Sequence, residues 1–209
     1  MWKISSLTWR ILTICRYTGY PMWFCMTAID RKGKSWQYLV TVIMSLSGNF
    51  IGALFWSGVQ SYLTKSLTEE PWRSSIIEQI DSSITSEDWH VIFLRAIGCG
   101  FLVSIAMVLG TQNRDGISKA LGLWLPFFIS TVSEFPHSVE YMYLGLTGMM
   151  LGAKLNFGMF LWKCILPVIL GNAVGGAFVG GYNYLVFVKR GDDKQTGQRR
   201  DWLPATADD

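Results

Sequence analysis

The sequence predicts an all-α, multi-pass membrane helical bundle built from two equivalent halves, and three observations carry that reading. Of its 209 residues 50% are hydrophobic and only 16% charged, with ten Trp and a mean hydropathy of +0.28. A soluble domain of that length carries more charge. The apolar residues are gathered in runs of roughly twenty, the length of a bilayer-crossing helix. Finally, one glycine-rich pattern occurs twice, half a chain apart: Gly48-Asn49-Phe50-Ile51-Gly52-Ala53, and Gly171-Asn172-Ala173-Val174-Gly175-Gly176. Small residues four apart let helix backbones approach closely, and an amide at that depth must find a partner. One copy reads equally well as an ordinary glycine-packed contact. The repetition points to duplicated halves, as in many membrane transporters.

The elements follow in order. Residues 1–17 carry Lys3, Arg10 and Arg16, too much charge for a clean span or a cleavable signal peptide. Tyr17 to Ile29 is apolar but short and ends in the basic turn Asp30-Arg31-Lys32-Gly33-Lys34. Residues 36–62 read as a spanning helix with Trp36 and Tyr62 at headgroup level. Residues 64–90 are polar, with a short surface helix expected from Trp72 to Ile80 behind Pro71. A second span covers 90–110. The stretch 120–152 is too long for one simple span, and Ser133-Glu134-Phe135-Pro136-His137-Ser138 breaks it in the middle. Irregular backbone at such depth survives only where protein or a polar cavity surrounds it. The last span, 159–188, carries the second Gly-Asn pattern. The expected organisation is a remnant of a broken helix plus a loop over 1–35, a membrane domain over 36–189, and a disordered cytoplasmic tail over 190–209.

Basic residues set the orientation. Arg31, Lys32 and Lys34, then Arg114 and Lys119, then Lys189 and Arg190 all fall on one side if 120–152 crosses once. The positive-inside rule makes that side, with the C-terminus, cytoplasmic. The expected location is a membrane, the plasma membrane by preference.

His137 is the residue on which chemistry would centre. It is one of only two histidines, and it follows a helix break inside an apolar stretch. A neutral imidazole both donates and accepts a proton, and ionisable groups at membrane depth mark pathways. A lone histidine hydrogen-bonded between packed helices is the plainer alternative; the break, Glu134 and Ser138 tip the balance toward function. Arg95, near the start of its span, serves equally well as a snorkelling anchor or an anion attractor. The four cysteines, Cys15, Cys25, Cys99 and Cys164, have no metal-ligand spacing and read as small buried hydrophobes. No nucleophile elbow, phosphate-cradling loop or nucleic-acid surface is evident. The expectation is therefore no enzyme, no cofactor, no metal and no nucleic-acid partner.

With these residues placed, the chain resembles the formate/nitrite transporter family. The matching stretches are Phe93-Leu94-Arg95-Ala96-Ile97-Gly98-Cys99-Gly100-Phe101-Leu102-Val103, Phe135-Pro136-His137-Ser138-Val139 with Met142-Tyr143, and Leu166 through Gly176 to Tyr184. Met26-Thr27-Ala28, Trp36 and the Gly48–Ala53 pattern add the first half. The resemblance implies an aquaporin-like inverted repeat with a broken helix in each half. It also implies a homopentamer with a pore in each subunit, and proton-linked transport of formate, nitrite or a similar small monovalent acid anion across a lipid membrane. His137 then matches the central pore histidine, Asn172 and Thr18 the groups hydrogen-bonding around it, and Val103 a constriction, with Ser138 beside the pathway. Gly48, Asn49, Gly52, Gly171, Gly175 and Gly176 are the expected packing residues, with Gly52 and Gly175 facing neighbouring helices.

The chain also departs from the family's pattern. Pro136 stands where the family carries Glu, Gly100 and Tyr141 where it carries Asn, and Thr18-Gly19-Tyr20 where it has Thr-Gly-Asn. Set against that family, the stretch before residue 17 leaves no room for a first helix, so an N-terminally incomplete bundle is expected. These departures keep a second function in play, a non-transporting structural or regulatory relative that assembles with pore subunits.

Overall fold

The computed structural model describes residues 20–29 and 35–189, which are helical with no strand among them. Helix α1 is Tyr20–Ile29 and α2 is Ser35–Gly58, prolonged by π-helical turns over Val59–Leu63. Helix α3 is Trp72–Ile80, with a similar wide extension over Asp81–Thr85. Then come α4, Trp89–Gln112, α5, Gly116–Val132, and α6, Ser138–Leu151. The last helix, α7, is composite: a turn at Phe157–Met159, π-helical Phe160–Ile165, α-helical Leu166–Asn183 and a wide close at Tyr184–Lys189. Expectations for residues 1–19, 30–34 and 190–209, Thr18 among them, lie outside the described residues.

Three helical stretches, Tyr38–Ser61, Trp89–Gln112 and Phe157–Val186, are long and apolar enough to cross a bilayer. Helices α5 and α6 are about 26 and 21 Å long at 1.5 Å per residue, so each alone falls short of a ~30 Å hydrocarbon core. Joined across the break they are long enough to cross it once.

Close contacts fix the directions. Gly171 lies against Phe93 and Ala96, and Gly175 against Ile97 and Phe101, so α4 and α7 run parallel. Gly110 meets Leu123 near the start of α5 while Gly98, a dozen residues earlier on α4, meets Phe135 just past the end of α5, which makes α5 antiparallel to α4. Pro21 sits at Gly176 and Met22 at Gly180, aligning α1 with α7. The C-terminal ends of α1, α4 and α7 therefore share one end of the bundle, with Arg114 in the α4–α5 connection and Lys119 in the first turn of α5. Helix α7 packs on α1 while α2 packs on α6. Each Gly-Asn helix thus pairs with the short helix of the opposite half, as an inverted repeat requires.

The segment between α2 and α4 is more than a surface helix. Its bounds are those expected, yet Ile80 and Ile84 are fully buried. Four-residue spacing through Ile76, Ile80 and Ile84 gives α3 and its extension an apolar stripe. Ile80 Cδ1 occupies the space a Cβ on Gly148 of α6 would need, 2.0 Å away. The segment is pinned at both ends. Arg73 donates through Nε and Nη2 to the Leu151 carbonyl at 3.3 and 3.2 Å, satisfying an orphan acceptor at the end of α6. Lys163 Nζ donates to the Thr85 carbonyl at 2.7 Å. Ile80→Ala should lower stability by about 2–5 kcal/mol, read as a drop in unfolding temperature of the detergent-solubilised protein. An unchanged transition would show that α3 is not integral to the core.

Asp115 caps α5 by accepting from the Ser118 backbone N–H at 2.7 Å. The backbone and side-chain hydrogen bonds from Ser118 hold its carboxyl below the usual carboxylate range. A depressed folded-state pKa means the cap is intact above the unfolded value and is lost as pH falls through the folded one. Hydrogen exchange at the Ser118 amide should therefore be protected at neutral pH and lose protection in acid. Asp115→Ala should remove that protection at every pH.

Candidate functional site

The break between α5 and α6 is built by local chemistry. Three backbone bonds close α5: Ser133 N–H to Ile129 O at 2.9 Å, Glu134 N–H to Thr131 O at 3.1 Å and Phe135 N–H to Ser130 O at 3.0 Å. Glu134 takes the left-handed conformation, φ 53°, which turns the chain out of helix. For a non-glycine residue that geometry costs about 1–2 kcal/mol. Pro136 then forbids helix through itself and biases Phe135 toward extended backbone. His137 is extended, φ −101° and ψ 134°, and becomes the N-cap of α6. Its Nδ1 accepts from the Val139 N–H at 3.2 Å. A helix N-terminus, with its partial positive charge, therefore opens at the break.

Asn172 on α7 secures this turn. It is fully buried, and its Nδ2 donates to the Pro136 carbonyl at 3.1 Å and to Val168 O at 2.7 Å. The expected hydrogen bond from Asn172 to the imidazole is thus replaced by one to the backbone just before it. Proline exposes a carbonyl that no helix claims, and the amide fills that vacancy. Asn172 Oδ1 is buried without a hydrogen-bond partner, an acceptor left over beside the break.

Helix α4 makes room for this arrangement. A Cβ on Gly100 would sit 2.2 Å from the Asn172 carbonyl oxygen, and one on Gly98 would lie 2.9 Å from the Phe135 ring. No side chain at position 100 would fit against that backbone. Ser138 is fully buried and Val103 nearly so, one turn beyond Gly100 on α4. The structure brings Pro136, His137, Ser138 and Asn172 together, with Val103 further along the same α4 helix.

The first Gly-Asn copy behaves differently. Gly52, expected at a helix contact, is exposed, and a Cβ added there would meet nothing within 4 Å, while Gly48 is half-buried. The buried face of α2 is instead Ser45, Asn49, Ala53, Ser57 and Ser61, spaced by four. Ser57 Oγ accepts from Thr147 Oγ1 at 2.9 Å, and Tyr143 Oη donates to Gln60 Oε1, tying α2 to α6. That stripe was readable as a four-residue period, and the glycine pair masked it. Asn49 Nδ2 is buried with no hydrogen-bond partner.

Toward the end of the bundle bearing α3, a cavity of about 490 Å³ opens above the break. Glu78, Arg95, Glu134, Phe135 and Glu140 line it, with serines of the α3 segment. Arg95 Nη1 is paired with Glu87 Oε1 at 2.9 Å. The sequence singled out Arg95 without its partner and did not identify Phe135 as a wall residue. Among the described residues no cluster of His, Cys, Asp or Glu has metal-binding geometry.

An inverted pair of helical halves with three membrane-length apolar helices and a helix broken at Pro136 places the chain in the class of multi-pass membrane proteins built from repeats. The chain belongs to the formate/nitrite transporter family, whose model matches residues 16–186. It is 28% identical over 190 residues to a probable formate transporter of Methanothermobacter thermautotrophicus, covering 83% of this chain and 68% of that one. It is 32% identical over 167 residues to formate-nitrite transporter 2 of Toxoplasma gondii, covering 79% of this chain and 35% of that protein. Two solved structures share the fold. A channel of the same family superposes with a TM-score of 0.72 at 24% identity, covering 81% of this chain and 68% of that one. A pentameric formate channel with formate bound gives 0.63 at 19% identity, covering 89% and 87%. Members of the family are transporters and channels, not enzymes.

Proposed function

We propose that this chain passes a small monovalent acid anion, of the formate or nitrite kind, through a pore within the subunit that has His137 at its midpoint and couples flux to protons. The observation that supports this most is the break itself. A helix N-terminus, an imidazole and a buried amide converge where the chain would otherwise be continuous apolar helix. An anion reaching that point meets a partial positive charge and a proton-exchanging group. A charged carboxylate cannot cheaply enter a dry apolar constriction, whereas its neutral acid can. Supplying a proton at the break lowers that barrier. By analogy with the pentameric formate channel it resembles, the working unit is a homopentamer, and the distribution of basic residues puts the C-terminus on the cytoplasmic side.

One observation favours a second reading, an assembling relative that does not conduct. The cavity above the break is lined by Glu78, Glu134 and Glu140, while Arg95 is committed to Glu87. A net negative mouth repels anions at low ionic strength. Formate or nitrite uptake into liposomes containing the purified protein, at several pH values and two salt concentrations, decides between them. Uptake that rises as pH falls, and rises with salt as the mouth is screened, supports the transporter. No uptake above empty liposomes at any pH assigns the chain to the second reading.

A further inference from the structure

We propose that the groove between α4 and α7 at the basic end of the bundle holds one acyl chain of an anionic phospholipid, with its headgroup at Arg114. The groove has a physical origin. Helices α4 and α7 touch backbone to backbone at Gly171 and Gly175; Gly176 lies between Ser104 of α4 and Pro21 of α1, and by Gly180 the small face of α7 is turned wholly to Met22 of α1. Past that point the glycines of α7 serve α1, and two bulky rings, Phe101 and Phe178, stand between α4 and α7 with centroids 6.1 Å apart. The space left measures about 400 Å³. Its walls are apolar, Ile105 and Val108 from α4 against Phe178 and Val179 from α7, and Gln112, Tyr182 and Asn183 supply polarity at one end.

Length and charge select the occupant. From Phe101 to Gln112 the groove runs along α4 for about 16 Å at 1.5 Å per residue. That matches half of a ~30 Å hydrocarbon core, the depth of one leaflet. Its polar end coincides with the shared C-terminal end of α4 and α7, where Arg114 follows Gln112 by two residues. Tyr182, 62% exposed, presents the amphipathic ring typical of headgroup level. Arg114 is exposed and forms no ion pair among the described residues, and Lys119 is exposed nearby. The one acid between them, Asp115, is engaged as the α5 cap. The rim is thus net positive, matching a phosphodiester whose headgroup carries no compensating cation, such as phosphatidylglycerol.

The test is lipid retention by the full chain, counted by native mass spectrometry from mixed phosphatidylglycerol and phosphatidylcholine nanodiscs. Phosphatidylglycerol should be retained in preference to phosphatidylcholine. Arg114→Gln should cut that preference about fivefold, the effect of one basic residue at the membrane surface. Val108→Trp fills the groove and should abolish retention of either lipid. Equal retention of both lipids by the wild type, or an unchanged preference in Arg114→Gln, would overturn the proposal. A Val108→Trp protein that keeps its lipid but falls to a smaller oligomer would overturn it too, making the groove a contact between copies. If Val108→Trp does not fold, Arg114→Gln with Lys119→Gln decides alone, because both residues lie outside the bundle core.

Discussion

Leucine at Gly175 is expected to eliminate assembled protein, while leucine at Gly52 is expected to leave it unchanged. The two glycines hold matching places in the duplicated pattern, but their surroundings differ. A Cβ on Gly175 would stand 2.1 Å from the Ile97 carbonyl oxygen and 2.6 Å from the Phe101 nitrogen. Both are main-chain atoms of a continuous helix, so neither yields by rotating a side chain. Overpacking of this kind costs about 1–3 kcal/mol or more, and it strikes the α4–α7 contact that also supports Asn172 opposite Gly100. Gly52 faces open space, so a leucine there is met by lipid or solvent. Fluorescence-detected size-exclusion profiles of the two variants measure the difference. Equal yields would refute the close crossing of α4 and α7.

Phenylalanine at His137 is expected to leave the fold and oligomer intact while flattening or reshaping the pH dependence of anion flux. The ring keeps similar volume, so packing beneath α6 survives. What goes is Nδ1, which caps α6 through the Val139 N–H, and with it every proton-exchanging atom of the imidazole. Losing a cap costs about 1 kcal/mol, tolerable in a helix whose Ser138, Tyr141 and Met142 are all buried. Asn172→Leu provides the complementary perturbation. It keeps the imidazole but strips the Pro136 carbonyl of its donor, a loss of about 1–3 kcal/mol. If His137 handles protons and Asn172 positions the turn, the first variant changes the pH profile. The second lowers flux and keeps the profile's shape. A His137→Phe protein with wild-type flux at every pH would remove the histidine from the mechanism.

Much of the architecture was legible in the chain. The spans over 36–62, 90–110 and 159–188 correspond to α2, α4 and α7 because hydropathy over some twenty residues reports directly on membrane crossing. The break was legible because proline and a run of polar residues act locally, and α5 ends at Val132 within a residue of where they begin. The α3 helix starts at Trp72 behind Pro71 for the same kind of local reason. Partnership was much less legible. Ile80 looked like the end of a surface helix and Ile84 like part of a polar segment, and Gly52 looked equivalent to Gly175.

The sequence by itself determined that the protein is a helical membrane bundle with paired halves, that one helix is broken near Ser133 to Pro136, and that a histidine stands just beyond the break. Those features depend on composition, periodicity and backbone chemistry within a few neighbouring residues. Only the tertiary structure decided that Asn172 holds the Pro136 carbonyl, that the buried stripe of α2 runs from Ser45 to Ser61 instead of through Gly52, and that α3 is driven into the bundle against Gly148. The reason is physical. In a bilayer the lipid tails are as apolar as a protein core, so an apolar face says nothing about whether lipid or another helix covers it. That choice is made by shape and hydrogen bonding between elements far apart in the chain.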